Sequence, residues 1–289
     1  PSTKLETLMQ PEMSYERGYC RPECTKCSEV CGKSENQSFW EHLDVLRASL
    51  VKIAIVTVAF GVVAFFFKDE LFAVILAPKE ADFITYRLLF SLSGWVTGAE
   101  SPDFFVKLIN TGLAEQFLIH MKVAMCMGIL CASPYILYQL FRFVSPALYS
   151  NERKYVVRVV GSGYVMFMLG VLLSYFLIFP LTFRFLGTYQ VSSDVENMIA
   201  LQSYISTLIL MSLAMGIVFE IPILSWLFAK LGFISADFMK RYRRHAVVII
   251  LIVAAVITPT SDIFTLSLVA LPMWLLYEVS IWIVKRAVR

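Results

Sequence analysis

Two things are scarce in this 289-residue sequence: charged residues and recognisable catalytic motifs. Asp, Glu, Lys and Arg make up 16% of the chain, against about 25% in a soluble domain. No nucleophile-elbow, zinc-protease, phosphate-loop or dinucleotide-binding pattern occurs, and the 3 histidines are far apart in sequence. The net charge of +3 gives no indication of a nucleic-acid partner. We therefore expect neither an enzyme nor a nucleic-acid-binding protein.

Apolar residues, by contrast, are abundant. They account for 58% of the chain, whereas about 45–50% is usual in soluble domains, and the mean hydropathy is +0.70. The 23 phenylalanines, 13 tyrosines and 5 tryptophans suit apolar spans with aromatic side chains at the membrane surfaces. This composition predicts a protein that is embedded in the lipid bilayer.

The apolar residues fall into six runs, each of which predicts a transmembrane helix. The runs are 48–67, 116–141, 159–183, 197–229, 246–257 and 263–277. At about 1.5 Å per residue, the last two reach only ~18–23 Å, short of a hydrocarbon core of about 30 Å. We expect an all-α membrane protein with six transmembrane helices in a concave bundle, the last two of them short. In the long connector 68–115 we expect short helices that cap the outer face.

The basic residues indicate how the chain is oriented. They are concentrated in the connectors after the second and fourth runs and at the C-terminus, namely Arg142, Arg153, Lys154, Arg158, Lys230, Lys240, Arg241, Arg243, Arg244, Lys285, Arg286 and Arg289. Because cytoplasmic loops are enriched in Lys and Arg, we expect both termini to lie in the cytoplasm.

Residues 1–37 differ from the rest of the chain because they are polar and hold four of the 6 cysteines: Cys20, Cys24, Cys27 and Cys31. We expect them to form a cytoplasmic tail or a fused segment without fixed structure, ahead of a six-helix transmembrane domain at 38–289. Four thiolates at this spacing are able to ligate zinc or an iron–sulfur cluster. The alternative is a tail that takes no part in the function of the transmembrane bundle. Elsewhere in the chain we expect no cofactor.

Two acidic residues stand out from the apolar pattern. Glu152 lies in the polar connector 143–154 and is a candidate site for a cationic ligand; the alternative is a solvated loop whose basic residues set the topology. Glu220 lies inside the fourth apolar run, two residues before Pro222. It either contacts a polar group of a passing partner or caps the backbone groups that a proline kink leaves free.

From about Ser38 to Arg289 the chain resembles TatC, the family of multispanning receptors of the twin-arginine protein translocase. The resemblance rests on residues 41–47 before the first run, on 145–149 with Glu152 and Arg153 in the first polar loop, and on 219–222 in the fourth run. The last outer turn also matches, through Thr258, Pro259 and Asp262, as do the short final runs. The cysteine-containing tail is not part of the resemblance.

The resemblance implies a membrane receptor that binds the twin-arginine signal peptides of folded proteins. It assigns the paired arginines to Glu152, with Asp44 as the second acidic contact, because Val45 stands where the family usually has an acid. The further signal-peptide residues that it implies are Leu46, Arg47, Phe143 and Tyr149. It makes Glu220 and Gln139 an intramembrane polar contact region for partners.

The same resemblance implies the setting in which the protein works. It implies small single-span partners of the TatA and TatB kind, self-association, use of the proton-motive force, and location in the inner membrane of a prokaryote. The principal alternative is a secondary transporter with Glu220 as the coupling carboxylate, although no repeat relates the first three runs to the last three. A third interpretation is a redox membrane protein served by the cysteine tail, but the spans lack paired histidines for haem.

Overall fold

The computed structural model describes residues 39–80, 82–87, 107–144, 153–189, 197–258 and 262–287. Within these ranges the chain is almost entirely helical, with one short parallel pair formed by β1 (Leu108–Ile109) and β2 (Ile199–Ala200). Several predicted site residues lie outside the described residues, namely Cys20, Cys24, Cys27, Cys31, Tyr149, Glu152 and Pro259.

The helices follow one another along the chain with few interruptions. They are α1 (Phe39–Phe65), α2 (Lys68–Leu76), α3 (Glu115–Val144), α4 (Arg153–Leu173), α5 (Phe179–Thr188), α6 (Leu201–Val218), α7 (Ile221–Lys230), α8 (Ala236–Arg241), α9 (Arg243–Ile257) and α10 (Ile263–Ala287). A 3-10 turn at Ala77–Lys79 follows α2, and a π-helical turn at Ser174–Ile178 joins α4 to α5. The prediction of an all-α membrane protein is confirmed.

Five described segments are long and apolar enough to cross a membrane: Leu46–Phe65, Glu115–Arg142, Val159–Thr188, Leu201–Lys230 and Ile263–Arg286. They correspond to the first four runs and the sixth run of the sequence. The fifth run lies in α9, which has 15 residues and reaches only about 22 Å. The prediction of a short fifth span is therefore confirmed.

The prediction that the last span is also short is wrong, because α10 has 25 residues and continues past Glu278. The charge at Glu278 does not end the helix, since Arg243 at the start of α9 donates a hydrogen bond to its Oε2 atom at 2.7 Å. Beyond it, Ile281 and Val284 are buried in an apolar cluster. The second half of α10 therefore keeps an apolar packing face, which favours continuation of the helix.

The main core lies where α2, α3, α5, α6, α9 and α10 meet. Its most deeply buried residues include Ile119, Val123, Ile205, Met211 and Val269, each less than 2% exposed. This core takes one helix or more from almost every predicted span, so it joins most of the membrane helices.

Glycines allow two pairs of helices to approach closely. A Cβ atom on Gly170 of α4 would lie 2.6 Å from the carbonyl oxygen of Met215, and one on Gly216 of α6 would lie 2.7 Å from the ring of Phe167. Gly128 of α3 makes a similar contact with α1. Small residues at helix crossings are typical of packing between transmembrane helices, where close backbone approach supplies the attraction.

The first connector is held against the bundle by tyrosine hydroxyls. Tyr175 donates a hydrogen bond to the carbonyl of Val74 at 2.5 Å, and Tyr204 donates one to the carbonyl of Ile75 at 3.1 Å. Both acceptors lie in the last turn of α2, where carbonyls lack their usual i+4 donors within the helix. The prediction of short helices in this connector is confirmed for α2, and its contacts show how α2 is fixed.

Pro180 near the start of α5 marks a second point of attachment. Proline has no N–H, so the carbonyl of Phe176 four residues earlier loses its usual helical donor. The hydroxyl of Thr85 donates to this carbonyl, and the hydroxyl of Tyr86 donates to the carbonyl of Pro180 itself at 3.0 Å. Thr85 of the connector thus supplies a donor to the carbonyl that the proline leaves without one, and Tyr86 adds a second attachment to α5.

A side-chain hydroxyl also compensates for a proline within α3. Pro134 leaves the carbonyl of Leu130 without its helical donor, and the hydroxyl of Ser133 donates to that carbonyl at 2.7 Å. Serine and threonine hydroxyls commonly compensate prolines in this way, because lipid offers no hydrogen bonds to a free carbonyl.

Candidate functional site

Glu220 sits at a break in the fourth membrane segment. α6 ends at Val218 and α7 begins at Ile221, so Phe219 and Glu220 form a turn between two helices. Pro222 stands in the first turn of α7, where its missing N–H would have had no helical acceptor. The kink that the sequence predicts here is confirmed.

The Glu220 side chain is 6% exposed and faces α4. A Cβ atom on Gly163 would lie 3.3 and 3.5 Å from its two carboxyl oxygens and 3.4 Å from the ring of Phe141. Gly163 therefore provides the space that the carboxyl group occupies. Phe141, at the end of α3, belongs to an apolar cluster that includes Phe167 and Leu227. The carboxyl group thus lies against an apolar wall at membrane depth.

Neither carboxyl oxygen of Glu220 has a hydrogen-bond partner among the described residues. The alternative in which this carboxyl group caps the backbone of the kink is therefore not observed. A carboxyl group buried without a partner is unfavourable, and such residues in transmembrane segments usually serve a ligand, an ion or a second polar group. Both oxygens therefore have unused acceptor capacity, although they lie inside the helix packing.

Gln139, the second residue of the predicted polar contact region, is also buried but has a partner. Its Nε2 atom donates a hydrogen bond to the hydroxyl of Tyr135, one turn earlier in α3, at 2.6 Å. The structure does not join Gln139 to Glu220 by a hydrogen bond. Gln139 lies two residues before Phe141, which borders Glu220, so both predicted residues lie near one end of α3.

The structure describes only some of the predicted signal-peptide residues. Asp44 and Arg47 are exposed on α1, and Leu46 is half-buried. Phe143 lies in the last turn of α3, but the structure does not describe its side chain. Tyr149 and Glu152 lie wholly outside the described residues. The exposure of Asp44 leaves its carboxylate accessible to a charged ligand.

The predicted residues of the outer turn have structural partners. The Thr258 hydroxyl donates to the carbonyl of Ala254 at 3.0 Å and so closes the end of α9. Asp262 accepts hydrogen bonds from the backbone N–H of Thr265 at 2.8 Å and from its hydroxyl at 2.5 Å. These bonds are those of a helix N-cap, so Asp262 fixes the start of α10.

Sequence reasoning missed Gly163 and Phe141, which border the Glu220 carboxyl group. The available signal was a pair of glycines, Gly161 and Gly163, in the third apolar run. Among the residues that the structure describes, no group of three or more His, Cys, Asp or Glu side chains is placed to hold a metal ion.

Comparison with known proteins adds independent observations. The chain matches the family model of the Sec-independent protein translocase protein TatC over residues 41–272. It is 35% identical over 250 residues to the TatC protein of Blattabacterium from Periplaneta americana, covering 85% of this chain and 94% of that protein. It is 34% identical over 251 residues to the TatC protein of Aquifex aeolicus, covering 86% of this chain and 95% of that protein.

A solved structure is similar as well. The crystal structure of a twin arginine translocase receptor, TatC, superimposes with a TM-score of 0.69 at 32% sequence identity. The alignment covers 86% of this chain and 100% of that one. The similarity therefore extends over the membrane bundle as a whole rather than over a single motif.

Proposed function

The chain belongs to the TatC family of Sec-independent protein translocase proteins, and from this premise we infer that it is the receptor subunit of a twin-arginine translocase. It is a multi-pass membrane protein, and its family is a translocase component rather than an enzyme. A secondary transporter driven by Glu220 finds no support, because the relatives over most of the chain are translocase proteins.

The main support for the proposal is the burial of the Glu220 carboxyl group without a hydrogen-bond partner among the described residues. This group lies beside Gly163. A helix within the membrane would bring a polar side chain to these oxygens once the helices around Gly163 and Phe141 move apart. We therefore assign Glu220 to contact with a membrane-embedded partner, with Gln139 nearby, and not to a permanent internal bond.

We expect the signal peptide to bind to residues of the polar connector 143–154 and of the first turns of α1. Arginine stays charged and presents a planar fork of donors, which a carboxylate binds in a bidentate way. We propose Glu152 as the principal contact of the arginine pair and Asp44, exposed on α1, as the second. Leu46, Arg47, Phe143 and Tyr149 would complete the docking surface.

The partners and the orientation follow from the same proposal. We propose single-span proteins of the TatA and TatB kind as partners, together with other copies of this chain, in the inner membrane of a prokaryote. Exposed basic residues at the start of α9 and the end of α10, Arg243, Arg244, Lys285 and Arg286, support a cytoplasmic position for that side of the bundle. Both termini would then be cytoplasmic.

We expect replacement of Glu152 to weaken signal-peptide binding about tenfold or more, since a hydrogen bond to a charged group contributes about 1.5–3 kcal/mol. The measurement is crosslinking of a twin-arginine signal peptide to protein carrying Glu152→Ala or Glu152→Gln. A twin-lysine peptide sets the background. Asp237→Asn serves as a matched control, because Asp237 is an exposed acid on α8 with only a 3.5 Å pairing to Lys240. Wild-type crosslinking by both Glu152 variants would contradict the assignment.

For residues 1–37 we propose a segment separate from the membrane domain 38–289, with Cys20, Cys24, Cys27 and Cys31 as ligands of zinc or an iron–sulfur cluster. We expect metal to purify with the whole chain and to be lost when residues 1–37 are removed, while export is retained. Elemental analysis of the two purified forms makes the comparison. Equal metal content in both forms would rule this ligand set out.

A further inference from the structure

A cavity of about 300 Å³ lies between α5 and the first turns of α6, apart from the site around Glu220. This volume is at the lower end of the range for small-molecule sites. One wall is aromatic and is formed by Phe179, Phe183 and Tyr204. Hydroxyl-bearing residues of the same two helices, among them Thr182 and Ser203, form the polar part of the lining, here called the polar wall. The cavity is thus amphipathic.

The aromatic wall is preformed. The rings of Phe179 and Phe183 are stacked, with centroids 6.0 Å apart and planes 13° apart. Tyr204 meets both rings edge-on, at 5.0 and 4.9 Å, and its hydroxyl is anchored to the carbonyl of Ile75. Because these three side chains hold one another and all are buried, they offer a fixed apolar surface to a ligand.

The polar wall contains a hydroxyl with unused hydrogen-bonding capacity. Thr182 is 1% exposed, and its Oγ1 atom has no hydrogen-bond partner among the described residues. A buried hydroxyl without a partner is unfavourable, so a ligand that supplies one would gain affinity. Ser203 is exposed at the cavity, and its side chain therefore marks a mouth through which a ligand can enter.

The depth of the cavity in the membrane follows from helix length. The segments Val159–Thr188 and Leu201–Lys230 each have 30 residues, or about 45 Å of helix, against a hydrocarbon core of about 30 Å. Roughly five residues at each end therefore lie among the lipid headgroups. The cavity lines the last three turns before Thr188 and the first two turns after Leu201. It consequently spans the level at which acyl chains meet their ester groups.

We propose that this cavity binds one phospholipid of the adjacent leaflet. The upper part of an acyl chain packs against the aromatic wall, and an ester carbonyl of the lipid accepts a hydrogen bond from the hydroxyl of Thr182. The site differs in location and chemistry from the groups proposed for signal peptides and partner helices. The cavity suits an amphiphile better than water alone, because three of the side chains that line it, Phe179, Phe183 and Tyr204, are aromatic.

The test uses the whole chain reconstituted in vesicles of phosphatidylethanolamine and phosphatidylglycerol that contain a photoactivatable phosphatidylethanolamine. After illumination, mass spectrometry locates the labelled peptides and native mass spectrometry counts retained lipid. In the wild type we expect labelling concentrated in residues 179–207 and one retained lipid. Ser203→Phe, which fills the mouth, should remove both signals. Gln202→Phe, at an exposed neighbouring position outside the cavity, should keep them.

Thr182→Val tests the hydroxyl separately, because valine has the same shape without the donor. We expect lipid occupancy to fall about fivefold in this variant while the aromatic wall stays in place. Equal retention and labelling in wild type, Ser203→Phe and Thr182→Val would overturn the proposal. So would a wild type without label in these residues, which would leave water or a protein segment as the occupant.

Discussion

Replacing Glu220 with alanine is expected to reduce export of a twin-arginine substrate at least about tenfold while the protein still folds and inserts. The export defect follows because a polar group of the partner would meet an apolar site instead of a carboxyl group. A hydrogen bond that involves a charged group contributes about 1.5–3 kcal/mol, which corresponds to a tenfold or larger change in an equilibrium constant. Export of a reporter in cells that lack their own copy of the gene measures the effect.

The stability of the same variant should move in the other direction. Both Glu220 carboxyl oxygens are without an internal partner among the described residues, so the alanine variant loses no hydrogen bond there. We expect its thermal midpoint in detergent to equal or exceed that of the wild type. Glu220→Gln, which keeps a hydrogen-bonding group without the charge, should give an intermediate export rate. A loss of export accompanied by a loss of stability would instead indicate a structural role.

Glu278 offers a matched control within another membrane segment. It is 27% exposed at its side chain, and its Oε2 atom is paired with Arg243 at 2.7 Å, whereas neither oxygen of Glu220 has a partner among the described residues. Glu278→Gln should therefore lower stability modestly, by about 0–1 kcal/mol, and leave export intact. If Glu220→Ala exports at the wild-type rate, or if both variants fail equally, the assignment of Glu220 to partner contact is wrong.

Gly128→Ala is expected to lower the free energy of unfolding by about 1–3 kcal/mol, the usual range for an overpacked contact. A Cβ atom at Gly128 would lie 2.7 Å from the carbonyl oxygen of Thr57, and 2.8 and 2.9 Å from the backbone N and Cα of Gly61. These neighbours are backbone atoms of a helix, which cannot rotate away as a side chain can. α1 must therefore move off α3. Thermal unfolding in detergent measures the loss.

The position of α1 makes this contact unusually important for the fold. Only 17% of the most apolar stretch of α1 is buried inside the protein, whereas 39–44% of the corresponding stretch is buried in each of the other four candidate spans. Among the residues that the structure describes, few other contacts hold α1, one of them being the stacking of Phe65 on His120 with ring centroids 4.1 Å apart. We expect the alanine variant to lose α1 from the bundle before the remaining helices unfold, seen as early proteolytic cleavage after α1.

Gly161→Ala on α4 is the corresponding control. A Cβ atom there has no heavy atom within 4 Å, so the added methyl group meets open space. Alanine is the better helix former by about 1 kcal/mol, and this variant should be slightly more stable than the wild type. The two substitutions are chemically identical and should have opposite signs. Equal shifts would mean that the close approach of α1 and α3 is not what Gly128 provides.

Most of the fold could be predicted from the sequence because each membrane segment corresponds to an apolar run of residues. The kink at Glu220 was also predictable, since Pro222 acts on the backbone of its own helix. The length of α10 was not, because its continuation depends on Arg243, which lies 35 residues from Glu278 in the sequence. Local patterns cannot reveal a pairing of that range.

The same distinction applies to the candidate site. The type and position of Glu220 indicated a polar contact at membrane depth, as an acidic residue in an apolar run usually does. That its carboxyl group lies against Gly163 and lacks an internal partner depends on how α4 packs against α6 and α7. Likewise, the bond from Thr85 to Phe176 joins residues 91 positions apart and has no local signature.

The hydroxyls that serve the carbonyls left free by Pro134 and Pro180 also limit how the bundle responds to its lipid. Losing either hydroxyl contact would leave the carbonyl of Leu130 or Phe176 without that donor, at a cost of about 1–3 kcal/mol. The two proline-containing turns are therefore held firmly on the energy scale of a change in bilayer thickness, which is a fraction of a kcal/mol per Å. When the membrane thickens or thins, the lipid has to adapt to this protein, most strongly beside the 15-residue α9.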